Sequence, residues 1–126
     1  MQQPPVPSIS PADAAAATAD GAASHPATRP LIVDVREPDE FAQVRVADVV
    51  LMPISQFVAR HQELPRDRPL LMLCAAGSRS TSATLYLLQA GWTDVRNVTG
   101  GMIGWEHAGL PTRTGTPDPG EGDLPA

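Results

Sequence analysis

The chain contains a single cysteine, Cys74, within the run LLMLCAAGSRS at residues 70–80. Four apolar residues lead to the thiol, and four small residues separate it from Arg79. Backbone N–H groups of such a loop can converge on the sulfur, and the positive end of a following helix favours an anion there. Both effects lower the pKa of a thiol from about 8.5 towards neutrality. The pattern therefore predicts an enzyme that works through Cys74, rather than an inert core cysteine.

The residues after the cysteine are predicted to form its substrate-binding loop, namely Ala75, Ala76, Gly77, Ser78 and Arg79. Gly77 supplies a backbone shape that a side chain would obstruct. Ser78 and Ser80 either donate hydrogen bonds to the sulfur or cap the next helix, and we expect capping from one of them. Arg79 either places positive charge near a bound anion or forms a structural salt bridge, and the sequence leaves both roles open.

The strands and helices that must position this loop alternate along the chain. Apolar strands are predicted at residues 31–35, 49–52 and 70–73, with shorter strands at 8–9 and 93–98. Helices are predicted at residues 12–19, 37–41, 54–62, 80–90 and 102–108. This alternation predicts an α/β domain in which helices cover both faces of a parallel sheet.

Ligands of such sheets bind beyond the carboxyl ends of the strands, and Cys74, Asp34 and Arg36 all lie at predicted strand ends. Asp34 and Arg36 are therefore candidate supporting residues that flank the pocket, with Asp34 fixing an arginine or a loop amide. The alternative is that the two side chains form an ion pair that shapes the strand end.

The composition indicates one globular domain, since 42% of the 126 residues are hydrophobic and 18% are charged. The net charge of −5 argues against nucleic acid or an anionic membrane as a partner. One cysteine forms no internal disulfide, and no His/Cys cluster has metal-ligand spacing, so we predict neither a metal nor a cofactor. Without a signal-peptide pattern or an apolar run of about 20 residues, we expect a cytoplasmic protein.

Three segments divide the chain. Residues 1–7 are polar and proline-rich and are predicted to be a flexible N-terminus. Residues 8–112 carry the alternating strands and helices and are predicted to be the folded domain. Residues 113–126 are dominated by Pro, Gly and acidic side chains, which predicts a disordered tail.

Several segments in order resemble the single-domain members of the rhodanese (sulfurtransferase) family. They are LIVDVREPDEF at 31–41, CAAGSRS at 74–80, AGWTDV at 90–95, GGMIGW at 100–105 and GLP at 109–111. The resemblance, which covers roughly residues 8–112, implies a five-stranded parallel sheet wrapped by helices. It also implies a cysteine that accepts sulfane sulfur as a persulfide and passes it to a nucleophile, and an Arg79 that holds the loop.

The chain departs from the family pattern at two places. Family members usually carry Gly-His-Ile-Pro-Gly-Ala after the Glu-Phe helix, whereas residues 44–49 read VRVADV, with Arg45 in place of the histidine. The residue after the cysteine is often arginine in the family and is Ala75 here. Loss of that charge weakens the expected attraction for thiosulfate, a dianion.

Taken with the resemblance, the residues predict a sulfurtransferase that moves sulfane sulfur from a donor such as thiosulfate to cyanide or a thiol. Its partners would be a small-molecule donor and acceptor, or a sulfur-relay protein served by the same residues. One alternative is a non-catalytic binding or regulatory module of the same family. The other is a cysteine phosphatase, although phosphatase loops hold one residue more than the four between Cys74 and Arg79.

Overall fold

A five-stranded sheet lies at the centre of the chain in a computed structural model that describes residues 5–19 and 29–125. The strands are β1 (Ser8–Ile9), β2 (Leu31–Asp34), β3 (Val50–Leu51), β4 (Leu70–Leu73) and β5 (Val95–Val98). The helices are α1 (Pro11–Thr18), α2 (Pro38–Gln43), α3 (Ile54–Arg60), α4 (Ser78–Gln89) and α5 (Gly101–His107). The strands pair in parallel in the order β1-β5-β4-β2-β3, which confirms the predicted fold class.

Strand β4 occupies the middle of the sheet, between β2 and β5, and all four of its residues are buried. A continuous apolar run suits this place because helices cover both faces of a parallel sheet. Asp34 lies beside Leu73 in the register of β2 and β4. The residue that follows β4 is Cys74, so the cysteine lies at the carboxyl edge near the centre of the sheet.

The core has two layers, one on each face of the sheet. On one face, Phe57 of α3 and Leu87 of α4 pack against residues that include Met72. On the other face, Phe41 of α2 and Trp105 of α5 pack against residues that include Leu71, and α1 joins this layer. Alternate residues of β4 thus enter opposite layers, as the two-residue period of a strand requires. Among the described residues, no helix is long and apolar enough to cross a bilayer.

The N-terminal residues and the start of α4 differ from the segments that the sequence predicts. Residues 1–4 of the predicted flexible N-terminus lie outside the described residues. Pro7, by contrast, accepts a backbone hydrogen bond from Asn97 at 2.8 Å, next to the short pairing of β1 with β5. Helix α4 begins at Ser78, two residues before the predicted start at Ser80.

Residues 113–125 pack along the domain, whereas their composition predicts a disordered tail. The backbones of Arg113 and Arg45 form an antiparallel bridge, with N–O distances of 2.8 and 2.7 Å. The Leu51 N–H of edge strand β3 donates to the Gly122 carbonyl at 2.8 Å. The segment therefore satisfies a backbone N–H that the edge strand would otherwise present to solvent.

A buried ion pair anchors this C-terminal segment. The Arg45 side chain is only 4% exposed and pairs with the Glu121 carboxylate, which is 10% exposed. The Arg45 guanidinium also donates to the Gly115 carbonyl at 2.6 Å. A buried cation needs a charged partner, and the acidic segment supplies it. Composition could not show this, because it does not tell which acid meets which buried base.

Glu121→Gln is expected to lower the free energy of unfolding by about 1–3 kcal/mol at neutral pH, because Arg45 then lies buried beside a neutral amide. The hydrogen bond from Arg45 lowers the pKa of the Glu121 carboxyl in the folded state. The stabilisation is therefore present above the unfolded-state pKa and is lost as pH falls through the lower folded-state pKa.

Urea unfolding at neutral and acidic pH measures both effects. The stability difference between Glu121→Gln and the parent should close in acid. Glu106→Gln, on an exposed position of α5, serves as the control and should change stability by less than about 0.5 kcal/mol. A difference that persists unchanged in acid would contradict the assignment to the ion pair.

Candidate active site

Cys74 lies at the carboxyl end of β4 with two hydrogen-bond donors close to its sulfur. The Gly77 N–H is 3.0 Å from Sγ and the Ser80 Oγ is 3.2 Å from it. Gly77 has a φ of +112°, in the left-handed region that favours glycine, and it is the N-cap residue of α4. The sulfur therefore lies at the positive end of a 12-residue helix, as the small-residue loop predicts.

The environment of the sulfur favours the thiolate. Burial by itself raises the pKa of the Cys74 thiol, because the residue is only 1% exposed and desolvation disfavours the anion. Hydrogen bonds from the Ser80 hydroxyl and from the backbone N–H groups of Ser80, Gly77 and Ala76 outweigh burial and hold that pKa below its ordinary value. A thiol with a lowered pKa supplies more nucleophile at neutral pH.

Helix α5 holds the cysteine loop from the side opposite α4. The Met102 N–H donates to the Cys74 carbonyl at 2.8 Å, and the Ile103 N–H donates to the Ala75 carbonyl at 3.1 Å. Gly101 lies so close that a Cβ on it would be 2.4 Å from the Cys74 carbonyl oxygen. Glycine at position 101, the first residue of α5, is thus required by the close approach of two backbones.

Arg79 forms a two-pronged ion pair with Glu40 of α2, at 2.6 and 2.8 Å. The same carboxylate accepts the Glu37 N–H at 3.1 Å, which ties the start of α2 to the cysteine loop. The hydrogen bond from Arg79 lowers the pKa of Glu40 to about 2. The same hydrogen bond raises the pKa of Arg79. Of the two roles that the sequence left open for Arg79, the structure supports the salt bridge. The positive charge of Arg79 still interacts with Cys74.

Asp34 and Arg36 bond to each other at the end of β2. The Arg36 guanidinium lies 2.8 Å from the Asp34 carboxylate, and the Arg36 N–H donates to the same carboxylate at 3.0 Å. Arg36 also donates to the carbonyls of Glu40 at 3.3 Å and Val44 at 2.8 Å, both on or next to α2. The structure supports the ion-pair alternative, in which these residues shape the strand end and hold α2.

The remaining loop residues divide by exposure. Ala75 is half-buried, whereas Ala76 and Ser78 are exposed. Ser78 is the first residue of α4, and its carbonyl accepts the Ser82 hydroxyl at 3.4 Å. The two serines therefore separate, with Ser80 at the sulfur and Ser78 on the outer side of the helix start.

Sequence reasoning missed two residues of this site, Glu40 and Asn97. Asn97 lies in β5, is 7% exposed, and places Oδ1 2.6 Å from the Ser80 hydroxyl oxygen. An uncharged polar side chain directly before Val98 in a short strand was the available signal, because buried polar groups require partners. Among the residues that the structure describes, no group of His, Cys, Asp and Glu could hold a metal ion.

Comparisons with known proteins identify relatives of this chain. Residues 11–108 match the family model of the rhodanese-like domain. The chain is 41% identical over 81 residues to a sulfurtransferase of Allochromatium vinosum, covering 64% of this chain and 76% of the relative. It is 30% identical over 80 residues to the thiosulfate sulfurtransferase GlpE of Vibrio cholerae, again covering 64% of this chain and 76% of the relative.

A solved structure extends the likeness to three dimensions. A rhodanese-related protein from Thermoplasma volcanium superposes with a TM-score of 0.72 at 29% identity, covering 85% of this chain and 97% of the other. The family match and the relatives named as sulfurtransferases thus support a sulfurtransferase-type enzyme at the level of the family. The chain belongs to the rhodanese-like domain family.

Gly101→Ala is expected to destabilise the fold by about 3 kcal/mol or more and to slow alkylation of Cys74, because the new Cβ would collide with the loop carbonyl. Gly109→Ala is the matched control, since Gly109 also has a positive φ (+71°) but a Cβ added there would meet no atom within 4 Å. That control should cost only the backbone penalty of about 1 kcal/mol. Thermal unfolding and alkylation rates compare the two, and equal losses would show that crowding at the loop contributes nothing.

Proposed function

We propose that this protein is a sulfurtransferase that carries sulfane sulfur on Cys74 as a persulfide. The donor would be a small molecule such as thiosulfate, and the acceptor would be cyanide, a thiol or a sulfur-relay protein. The observation that carries the proposal is the convergence of the Gly77 N–H and the Ser80 hydroxyl on one buried sulfur at the start of α4.

The reaction consists of two displacements at sulfur. The Cys74 thiolate attacks the sulfane sulfur of thiosulfate, so a new S–S bond forms while the S–S bond of the donor breaks and sulfite leaves. Cyanide then attacks the terminal sulfur of the persulfide, thiocyanate leaves, and the Cys74 thiolate is regenerated. The electrons balance without an added oxidant, and the route is a ping-pong mechanism with a covalent intermediate.

The loop suits each anion of this route. A persulfide is negatively charged like the thiolate, so N–H donors and the positive end of α4 favour both forms. The small side chains of Ala75 and Ala76 leave the solvent side of the loop without bulk. Because Cys74 is only 1% exposed, the site favours a compact donor that delivers one sulfur atom.

The same geometry weighs against the alternatives. The loop is one residue shorter than that of a cysteine phosphatase, and Arg79 is already engaged with Glu40 rather than free to bind a phosphate. The altered 44–49 segment was the reason to consider a non-catalytic module. Its Arg45 is turned to Glu121 of the C-terminal segment, so the departure has a structural explanation that leaves the cysteine loop intact.

Intact-mass measurement of the reduced protein, before and after thiosulfate, tests the persulfide. We expect a gain of one sulfur atom that cyanide removes, and no gain in Cys74→Ser, which should keep the fold because it exchanges one small side chain for another. Residual transfer in Cys74→Ser would exclude the mechanism. A folded wild-type protein that gains no sulfur from thiosulfate, mercaptopyruvate or a low-molecular-weight persulfide would favour the binding module.

Ala75→Arg is expected to lower the KM for thiosulfate about 3–10-fold at low ionic strength, because it adds positive charge at the mouth of the loop. Ala90→Arg is the matched control, since it adds the same charge at an exposed position beyond the far end of α4. Steady-state kinetics with thiosulfate and cyanide compare the two variants. An unchanged or higher KM in Ala75→Arg would show that residue 75 does not govern capture of the donor.

A further inference from the structure

The Ser80 hydroxyl has one proton and three neighbouring acceptors. Its Oγ lies 3.2 Å from the Cys74 sulfur, 3.2 Å from the Gly77 carbonyl oxygen and 2.6 Å from Asn97 Oδ1. Ser80 is completely buried and Asn97 is 7% exposed. A buried hydroxyl is held by its partners, so the choice among these acceptors decides what the sulfur receives.

With Asn97 Oδ1 facing Ser80, the shortest distance favours donation to Asn97, whereas the hydrogen bond from Ser80 that lowers the pKa of Cys74 forms when the sulfur is charged. Two oxygens 2.6 Å apart need a proton between them, so in the amide orientation with Oδ1 towards Ser80 the hydroxyl donates to Asn97. The Ser80 lone pair then faces the Cys74 sulfur, which suits a protonated thiol that donates to Ser80. A sulfur anion needs the reverse, because it only accepts.

Reversal of the hydroxyl requires a change at Asn97. Once Ser80 donates to the sulfur, Asn97 Oδ1 would face a hydroxyl lone pair at short range, which is repulsive. A half-turn of the amide replaces Oδ1 by the Nδ2 group, which donates to Ser80 instead. Asparagine can therefore support both directions of the hydroxyl from one position.

We propose that Asn97 is a positioning residue for sulfur transfer, whose amide accepts from Ser80 when Cys74 is protonated and donates to Ser80 when the sulfur carries charge. This inference rests on the proposed function, since the thiolate and the persulfide are the anions of that route. The strand tolerates the amide's rotation, because the Asn97 N–H is held separately by the Pro7 carbonyl at 2.8 Å.

Charged groups also act on the sulfur, in addition to the hydrogen-bonded pair of Ser80 and Asn97. Arg79 at the start of α4 interacts with Cys74, Glu40 of α2 neutralises Arg79, and Asp34 at the end of β2 interacts with Arg79. Asn97 on β5 carries no charge. Its influence on the sulfur therefore runs through the Ser80 hydroxyl, which makes the inference testable by removing that hydroxyl.

Asn97→Asp is the informative variant, because a carboxylate has a similar shape but can only accept a hydrogen bond from Ser80 and cannot donate one. We expect it to raise the pKa of Cys74 by at least about one unit. At a pH below the Cys74 pKa of both proteins, alkylation of the variant should then be about tenfold slower. Asn97→Leu, of similar size without polar atoms, releases the hydroxyl to the sulfur and should shift the pKa by less. Iodoacetamide alkylation against pH reports only Cys74, the single cysteine of the chain.

Measuring Asn97→Asp again in a Ser80→Ala background separates the effect of the hydroxyl on the Cys74 pKa from the effect of the added charge. The carboxylate that Asn97→Asp introduces acts on the sulfur in both backgrounds, whereas the share carried by Ser80 disappears with the hydroxyl. We therefore expect the pKa shift caused by Asn97→Asp to be clearly smaller in Ser80→Ala. Equal shifts in the two backgrounds would overturn the inference.

A measurement on the wild-type protein covers the case in which Asn97→Asp does not fold. The side-chain amide signals of Asn97, followed by NMR against pH, should change with the midpoint of Cys74 and respond much less in Ser80→Ala. Signals that do not respond would overturn the inference. Alkylation and NMR need no sulfur transfer, so these results stand apart from the intact-mass test of the proposed function.

Discussion

Charge on a buried sulfur is costly unless hydrogen-bond donors replace the water that burial removes, and the structure around Cys74 is organised by this requirement. The cysteine is 1% exposed, so solvent cannot supply those donors. The Gly77 N–H and the Ser80 hydroxyl supply them, and both belong to the turn and first residues of α4. The left-handed conformation of Gly77 lets the chain turn from this loop into α4 directly after that N–H.

Donors help only if the loop that carries them keeps its shape, and two neighbouring helices hold it. Helix α5 binds the loop carbonyls through Met102 and Ile103. Helix α2 binds Arg79 through Glu40, and the partly exposed pair gains its strength from two parallel hydrogen bonds. The buried pair of Arg36 and Asp34 in turn fixes α2 to the end of β2. Each element that surrounds the cysteine is thus tied to another by a polar contact.

The C-terminal segment supplies partners for polar groups in the same way, at the edge of the sheet. Arg45 is a buried cation that needs a partner, and β3 is an edge strand with an N–H to satisfy. Glu121 and the Gly122 carbonyl meet both needs, at neighbouring positions of one segment. The position that departs from the family's usual histidine therefore stabilises a docked segment and does not enter the cysteine loop.

The sequence by itself determined the features that depend on neighbours along the chain. The buried strands, the small-residue loop after Cys74 and the glycine at its turn are all readable from runs of residue types, because hydrophobic period and backbone freedom are local properties. Only the tertiary structure decided which distant side chains meet. Asn97 is 17 residues from Ser80, Glu40 is 39 from Arg79, and Glu121 is 76 from Arg45. Such pairings follow from strand order and helix packing, since a buried polar group takes whichever partner the fold brings within hydrogen-bond distance.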